Sequence, residues 1–298
     1  MGTRYDLNTP FPQRLAQGLS VLGNYYFNLY LVQGEQASAL IEVGVSGVVD
    51  LAISQLDQLG VKPTFLVVTH PHSDHTTGVV GLREHFPGAL VVAAEGAEEF
   101  LKHPKAGSAL VEEDAHMTAF LEAHGMKPGR PSVTEPPSLA NCLVAREGNE
   151  MDLGGLTLHF LEVSGHSPGQ LVVHVPEINC LIASDSVGFR FPGRDVFPIF
   201  LMNYAEYMAT LDRLENLSPS ILAVAHQGPI LGENAVRQAF RDARQRSVDL
   251  RNRFVNDPRP AEELVPEVFA EFYKDELTMY TKENIMTCAR LIIRRARE

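Results

Sequence analysis

Hydrophobic positions along the chain change period several times, and each change predicts an element. YYFNLYLVQG (25–34) and SALIEVG (38–44) carry the β-formers of two strands, joined by the turn residues GEQA. VVDLAISQLDQLG (48–60) spaces its apolar residues helically and ends on Gly60, a residue suited to a helix C-terminus. PTFLVVT (63–69) is continuously apolar, the pattern of a short strand buried on both faces. A helix around TGVVGLREHF, a strand ALVVAA and a helix EGAEEFLKH follow. Strand and helix alternate, so this half of the chain is α/β.

Residues 103–140 are more polar. They hold two helical stretches around 107–124 and the Pro-rich segment KPGRPSVTEPPS, a pattern that predicts a cap or a lid-like insertion. Strands resume with NEMDL, LTLHFLEV, QLVVHVPE and NCLIAS. An aromatic stretch (187–204), the helix AEYMATLDRLENL and the strand SILAVA (220–225) come next. Beyond Gly232 the periodicity is helical throughout, near 233–255, 261–274 and 281–297, with NDPRP separating the first two. The predicted organisation is a catalytic domain over 1–232 with an insertion near 103–140, then a helical cap or dimerisation region over 233–298.

Composition narrows the function classes. The 298 residues, 45% hydrophobic and 21% charged, suffice for a large buried core. Lys and Arg total 25 against 37 Asp and Glu, a net charge of −12 that repels phosphate backbones and argues against a nucleic-acid substrate. Cys142, Cys180 and Cys288 are widely spaced and form no C-x-x-C pair, which suits a reducing compartment. The stretch MGTRYDLNTPFPQRLAQGLS contains no apolar leader, and no apolar run reaches the roughly 18 residues of a membrane span. A cytoplasmic protein with no membrane partner is expected.

Chemistry concentrates in TFLVVTHPHSDHTTG (64–78), where His70, His72, Asp74 and His75 follow directly on the apolar strand. In an extended segment His70 and His72 point to one side. Asp74 and His75 then fall where the chain turns into the next helix, and Pro71 stiffens the start of the loop. The loop can thus present two groups to one point and two to a neighbouring one. Three more candidates lie just past short apolar strands: His166 in EVSGHSPGQ, Asp185 in LIASDS and His226 in LAVAHQGP. Strand ends are where open α/β sheets build sites. Singly, each would pass for a turn or capping residue; as a set they point to metal.

The order and spacing of H-x-H-x-D-H, His, Asp and His resemble the metallo-β-lactamase superfamily over about residues 20–231. That resemblance implies an αββα sandwich and two metal ions. His70, His72 and His166 would hold the first, Asp74, His75 and His226 the second, and Asp185 would bridge them. The family's usual Asp after the second strand is replaced by Glu42, whose implied role is to orient the loop from behind. SGHSPGQ resembles the matching turn of glyoxalase II-type thioesterases. ALIEVGVSG with the helical C-terminus is similar to quinolone-signal thioesterase-like hydrolases.

Five imidazoles and two carboxylates without thiolate suit two divalent ions of Zn, Fe or Mn. Ions sharing Asp185 would share a water and lower its pKa, so that a bridging hydroxide could attack an acyl carbonyl while Asp74 orients it. The expected activity is hydrolysis of a small-molecule thioester, ester or lactone. No general acid is assignable beside the motifs, which tilts the expectation toward leaving groups that depart unprotonated. Phe189, Phe191, Phe197, Phe200 and Tyr204 are candidate pocket walls; they serve equally well as packing for the helical regions. Arg190 and Arg194 are expected to form surface ion pairs. Two other readings stand beside the hydrolase: a mononuclear iron oxygenase resembling persulfide dioxygenases, and a binding protein without catalysis. The C-terminal helices offer apolar faces for a homodimer.

Overall fold

Two stacked sheets set the frame of the protein, whose computed structural model describes residues 5–298. Residues 1–4, where the predicted catalytic domain and the reading of the N-terminus begin, lie outside the described residues. The first sheet takes its strands in chain order: β1 (Gln13–Ala16), β2 (Leu19–Gly23), β3 (Asn28–Gln33), β4 (Ser38–Ile41), β5 (Phe65–Val67), β6 (Leu90–Ala94) and β7 (Leu143–Ala145). β1 to β4 pair antiparallel and β4 to β7 parallel. The second sheet begins with β8 (Glu150–Asp152), β9 (Thr157–Val163), β10 (Gln170–Val175) and β11 (Cys180–Ile182). A separate hairpin, β12 (Phe189–Phe191) and β13 (Asp195–Phe197), precedes β14 (Ile221–Ala223) and β15 (Ile230–Leu231). The order across this second sheet is β15-β14-β11-β10-β9-β8.

Side-chain alternation along the strands decides which face meets which layer. Tyr30 and Val32 of β3 join Phe160, Leu171, Val173 and Ile182 in the core between the sheets. Leu29 and Leu31, one residue out of phase, pack under the helices. The Tyr30 hydroxyl crosses the sandwich to donate to the Val224 carbonyl at 2.6 Å, so its polar end is satisfied despite complete burial. The helices are α1 (Val49–Leu59), α2 (Ser73–Thr76), α3 (Val79–His85), α4 (Ala97–Lys102), α5 (Pro104–Ala123), α6 (Tyr204–Glu215), α7 (Glu233–Phe254), α8 (Ala261–Phe272) and α9 (Lys282–Ala296). With α1 against the first sheet and α7 against the second, the layers form the expected αββα sandwich with an all-helical C-terminal extension. α1 ends at Gly60 in the left-handed conformation, as its sequence predicts.

Three features depart from the sequence expectation. β1 and β2 precede the first predicted strand, and β7 lies in a segment that carried no strand signal. The two helical stretches expected around 107–124 are one continuous helix, α5. Its buried face is interrupted by acids, chiefly Asp114, which is fully buried. Asp114 accepts from the Ser46 amide at 2.9 Å, the Ser46 hydroxyl at 2.6 Å, the Thr77 hydroxyl at 2.6 Å and the Val133 amide at 2.9 Å. A polar residue inside the apolar stripe splits the helical period in sequence while binding α5 to the loop behind α2. The segment is therefore built into the layer that backs the candidate site.

Candidate metal centre and adjoining cavity

β5 is parallel to β4 and β6 and buried between them, so the chain must leave it at the sheet's C-terminal edge. There the loop from His70 delivers its donors, and the single turn α2 carries Asp74 and His75. β9 leads through Gly165 to His166. Gly165 has φ +99, and a Cβ there would meet the Tyr207 backbone at 2.3 Å, so this turn needs glycine. β11 leads to Asp185 and β14 to His226. Ser184 and Gln227, adjacent to these last two, have positive φ, as does Glu42. Non-glycine residues held this way cost free energy, and three of the six among the described residues gather around this point.

The structure brings together all seven residues predicted for the centre. His70, His72, His166 and Asp185 form one group, and Asp74, His75 and His226 a second; within each, the donor atoms lie within 4.8 Å of one another. His70 Nε2 is 3.0 Å from His72 Nδ1 and 3.3 Å from His166 Nε2. Asp185 Oδ2 lies 3.9 Å from His70 Nε2, 3.6 Å from His166 Nε2 and 3.5 Å from His75 Nε2, while Oδ1 lies 3.6 Å from His226 Nε2. Asp185 therefore sits between the two groups.

The outward ring nitrogens fix the tautomers. His166 Nδ1 donates to the Ile199 carbonyl at 2.9 Å and His226 Nδ1 to the Tyr26 carbonyl at 2.7 Å. His75 Nδ1 faces Glu42 Oε2 at 2.8 Å, and the other Glu42 oxygen accepts from Thr69 at 2.9 Å. Glu42 thus stands directly behind the loop and aims His75 Nε2 into the centre. That Nε2 is buried and has no hydrogen-bond partner. Converging imidazole acceptors, an orphaned buried nitrogen and carboxylates on the far side make a donor set that a cation would satisfy.

Electrostatics agree with the geometry. Burial, with the neighbouring His75, His72 and His166, holds His70 well below the ordinary imidazole pKa. Burial and His166 bring His72 down to about 3. Burial alone would raise Asp185, but His75, His226 and His166 outweigh it and bring it to about 2. His75 moves the other way: Asp74, Glu42 and Asp185 overcome its burial and hold it high. Burial lowers His166 too, whereas Asp74 and Asp185 raise His226 against its burial. His70, His72 and His166 are therefore favoured neutral beside the ionised carboxylates, while His75 and His226 would each give up a proton to a cation.

One residue at the centre carried no sequence signal. The Tyr280 hydroxyl, at the entry to α9, donates to Asp74 Oδ2 at 2.6 Å and lies 3.3 Å from His226 Nε2. Burial, then Asp74 and Asp185, push its pKa well above that of an ordinary phenol, so it stays a donor. The sequence offered no general acid beside the motifs, and the structure adds a hydrogen-bond donor from elsewhere in the chain. The donor lies 54 residues beyond His226 and reaches the site only because α8 and α9 fold back over it. Its segment is tied down by Arg194, which pairs with Asp275 and Glu276, and by Tyr25, whose hydroxyl donates to Glu276 at 2.9 Å.

A cavity of about 300 Å³ opens beside His72, Asp74, His166 and Asp185, between α5, α9 and the β12–β13 hairpin. Phe189 and Phe197 line it. Phe191, Phe200 and Tyr204 do not: the Arg194 guanidinium covers Phe191, and Phe200 packs edge-on against Tyr204, which Arg251 covers. The hairpin pairs Phe189 with Phe197, which brings those two rings to the opening together, while Phe200 and Tyr204 lie beyond it in the chain. Arg190 and Arg194 are ion-paired with Asp242 and with Asp275 and Glu276, as expected.

Residues 24–226 match the family model of the metallo-beta-lactamase superfamily, and the chain belongs to that family. It is 27% identical over 205 residues to an acyl-coenzyme A thioesterase, MBLAC2, of Gallus gallus, covering 64% of this chain and 67% of that protein. It is also 27% identical over 134 residues to a hydroxyacylglutathione hydrolase of Ruegeria pomeroyi, covering 45% of this chain and 38% of that one. The crystal structure of a beta-lactamase domain protein from Burkholderia ambifaria superposes with a TM-score of 0.67 at 20% identity, over 97% of this chain and 91% of that one. That shared fold includes the helical C-terminal region. No helix among the described residues is long and apolar enough to cross a membrane.

Proposed function

We propose that the protein is a hydrolase that uses two divalent cations, of Zn, Fe or Mn, to cleave an acyl bond in a small thioester, ester or lactone. The observation that carries this reading is the convergence of two donor groups on Asp185 at the end of an apolar cavity. His70, His72 and His166 would hold one cation, and Asp74, His75 and His226 the other, with Asp185 shared. Cations bound there would supply a water activated near neutral pH and an electrophile for the acyl oxygen. The chain's own residues supply the rest. Glu42 keeps His75 in the ligating tautomer, and Asp74 accepts a proton or orients the attacking water. The Tyr280 hydroxyl donates its one proton to Asp74 Oδ2 and, by turning from it, can hydrogen-bond the oxygen that gains charge as the carbonyl becomes tetrahedral. The similar proteins named as an acyl-coenzyme A thioesterase and a hydroxyacylglutathione hydrolase support the acyl-bond class.

A mononuclear iron oxygenase fits less well, because it leaves His226 without a ligating role although its Nε2 faces both Asp74 and Asp185. Elemental analysis of purified protein separates the readings. About two metal atoms per chain, with turnover of a thioester or lactone panel, is the expected result. One tightly held iron would favour the oxygenase. A metal-free protein after growth with all three metals would remove both enzymatic readings.

A further inference from the structure

The cavity walls carry charge of only one sign. Its apolar part comes from Leu110 and Met117 of α5, Phe189, Phe197 and Ile199, and Leu291 of α9. Apart from the metal-centre residues, its charged lining is Glu112, Glu113 and Glu283, and no Lys or Arg lines it. Glu113 is buried and engaged, accepting from the Thr281 amide at 3.1 Å and from the Thr281 hydroxyl. Glu112 and Glu283 are exposed and stand at the mouth, one on α5 and one on α9. Nearby cations do not offset them inside the opening. Lys105 and Lys282 are exposed and outside the lining, and Arg290, which feels Glu283, is hydrogen-bonded to Glu262 at 2.8 Å.

We infer that this mouth selects acyl substrates by charge, favouring an apolar acyl chain joined to an uncharged or cationic leaving group and disfavouring polyanionic carriers. The inference rests on the acyl-hydrolase reading for its chemistry but on the cavity lining for its charge preference. At about 300 Å³ the cavity is at the small end of ligand pockets, so an acyl chain fills it and the leaving group is left outside, where Glu112 and Glu283 are the exposed charged residues of the lining. A carrier bearing several phosphates would bring like charges past two carboxylates at the mouth, whereas a neutral or cationic group meets no repulsion from them there, away from the cations proposed at the cavity's inner end. Glu112 and Glu283 act here as specificity-determining residues.

The test compares wild type with E112Q/E283Q, both metal-loaded. Octanoyl-thiocholine, the octanoyl thioester of neutral N-acetylcysteamine and octanoyl-coenzyme A share one chain and one thioester bond and differ in leaving-group charge. Wild type should prefer the cationic and neutral substrates over the coenzyme A thioester by about tenfold in kcat/KM, shrinking in high salt. The double variant should reduce that preference to about threefold or less. Equal kcat/KM for all three in wild type, or a preference unchanged in the variant, overturns the inference.

A binding arm stands apart from turnover. By calorimetry, octyltrimethylammonium should bind wild type more tightly than octyl sulfate does, and the ratio should fall about three- to tenfold in E112Q/E283Q. An invariant ratio overturns the charge preference. If no ester or thioester turns over while the calorimetric ratio still falls, the acyl-hydrolase reading fails and the charge selection stands. Both glutamates are exposed, so an unchanged melting temperature confirms that the variant folds.

Discussion

Tyr280 shows what a single side chain can add to a candidate metal-ligand set. Its hydroxyl is held by Asp74 and cannot readily ionise, so in the proposed reaction its contribution is donation alone. Tyr280→Phe keeps the ring packing against Phe189 and removes only the donor. We expect metal content near that of wild type and kcat lower by about 10²-fold, with KM changed little, the pattern of a bond made in the transition state. An unchanged kcat would leave Tyr280 as a packing residue. The seven donors were legible in the sequence because each follows an apolar strand within a few residues. Tyr280 was not, since it belongs to no motif and its neighbours in space are remote in sequence. Glu42 was legible only as an anomaly; the structure gives it a φ of +70 and two hydrogen bonds that aim His75 and Thr69.

At the scale of elements, the site depends on how α5 and the 70–78 loop are joined. Asp114 gathers four donors from three segments, two of them from Ser46 and one from Thr77 just past α2. Asp114→Ala leaves those buried donors unpaired, at a cost of about 3 kcal/mol. Urea unfolding should show that loss, and metal affinity should fall with it because α2 loses its anchor. A stability within about 0.5 kcal/mol of wild type would mean that water replaces the carboxylate without loss. The same residue explains why α5 read as two helices: a charge in the core face breaks the apolar period that sequence reading depends on. β1 and β2 escaped for a different reason. QRLA has almost no β-forming content, and LSVLG is too short to stand out, so pairing defines them, β2 with β3 and β1 with β2. β5 was plain from sequence because burial on both faces demands an uninterrupted apolar run.

Across the whole molecule, one hydrophobic cluster runs from α1 to α9, joining Leu56 and Met117 to Phe197, Phe272 and Ile292. None of the large apolar side chains exposed among the described residues belongs to the C-terminal helices, whose faces are spent on this cluster. Those helices were legible almost to the residue, yet the sequence left a cap and a dimer interface equally open, because periodicity does not say what a face covers. Folding and metal binding are therefore coupled through one body, and pH should tune them together. His72 is held at about 3 in the folded, metal-free chain, below its ordinary value near 6.5. The unfolded chain thus binds the extra proton between those values, and this contribution to stability, full above about 6.5, is lost as pH falls toward 3. His70 acts in the same sense; His75, raised by its carboxylates, acts oppositely and loses its contribution as pH rises through its folded value. Bound cations need every ligating imidazole neutral, so acid competes with them directly. The melting temperature of zinc-loaded protein should exceed that of stripped protein at pH 8, and the gap should close steadily below about pH 6. Thermal unfolding of both forms across pH 5 to 8 measures it. A gap that stays constant or widens in acid would show that the histidine cluster is not what holds the metal.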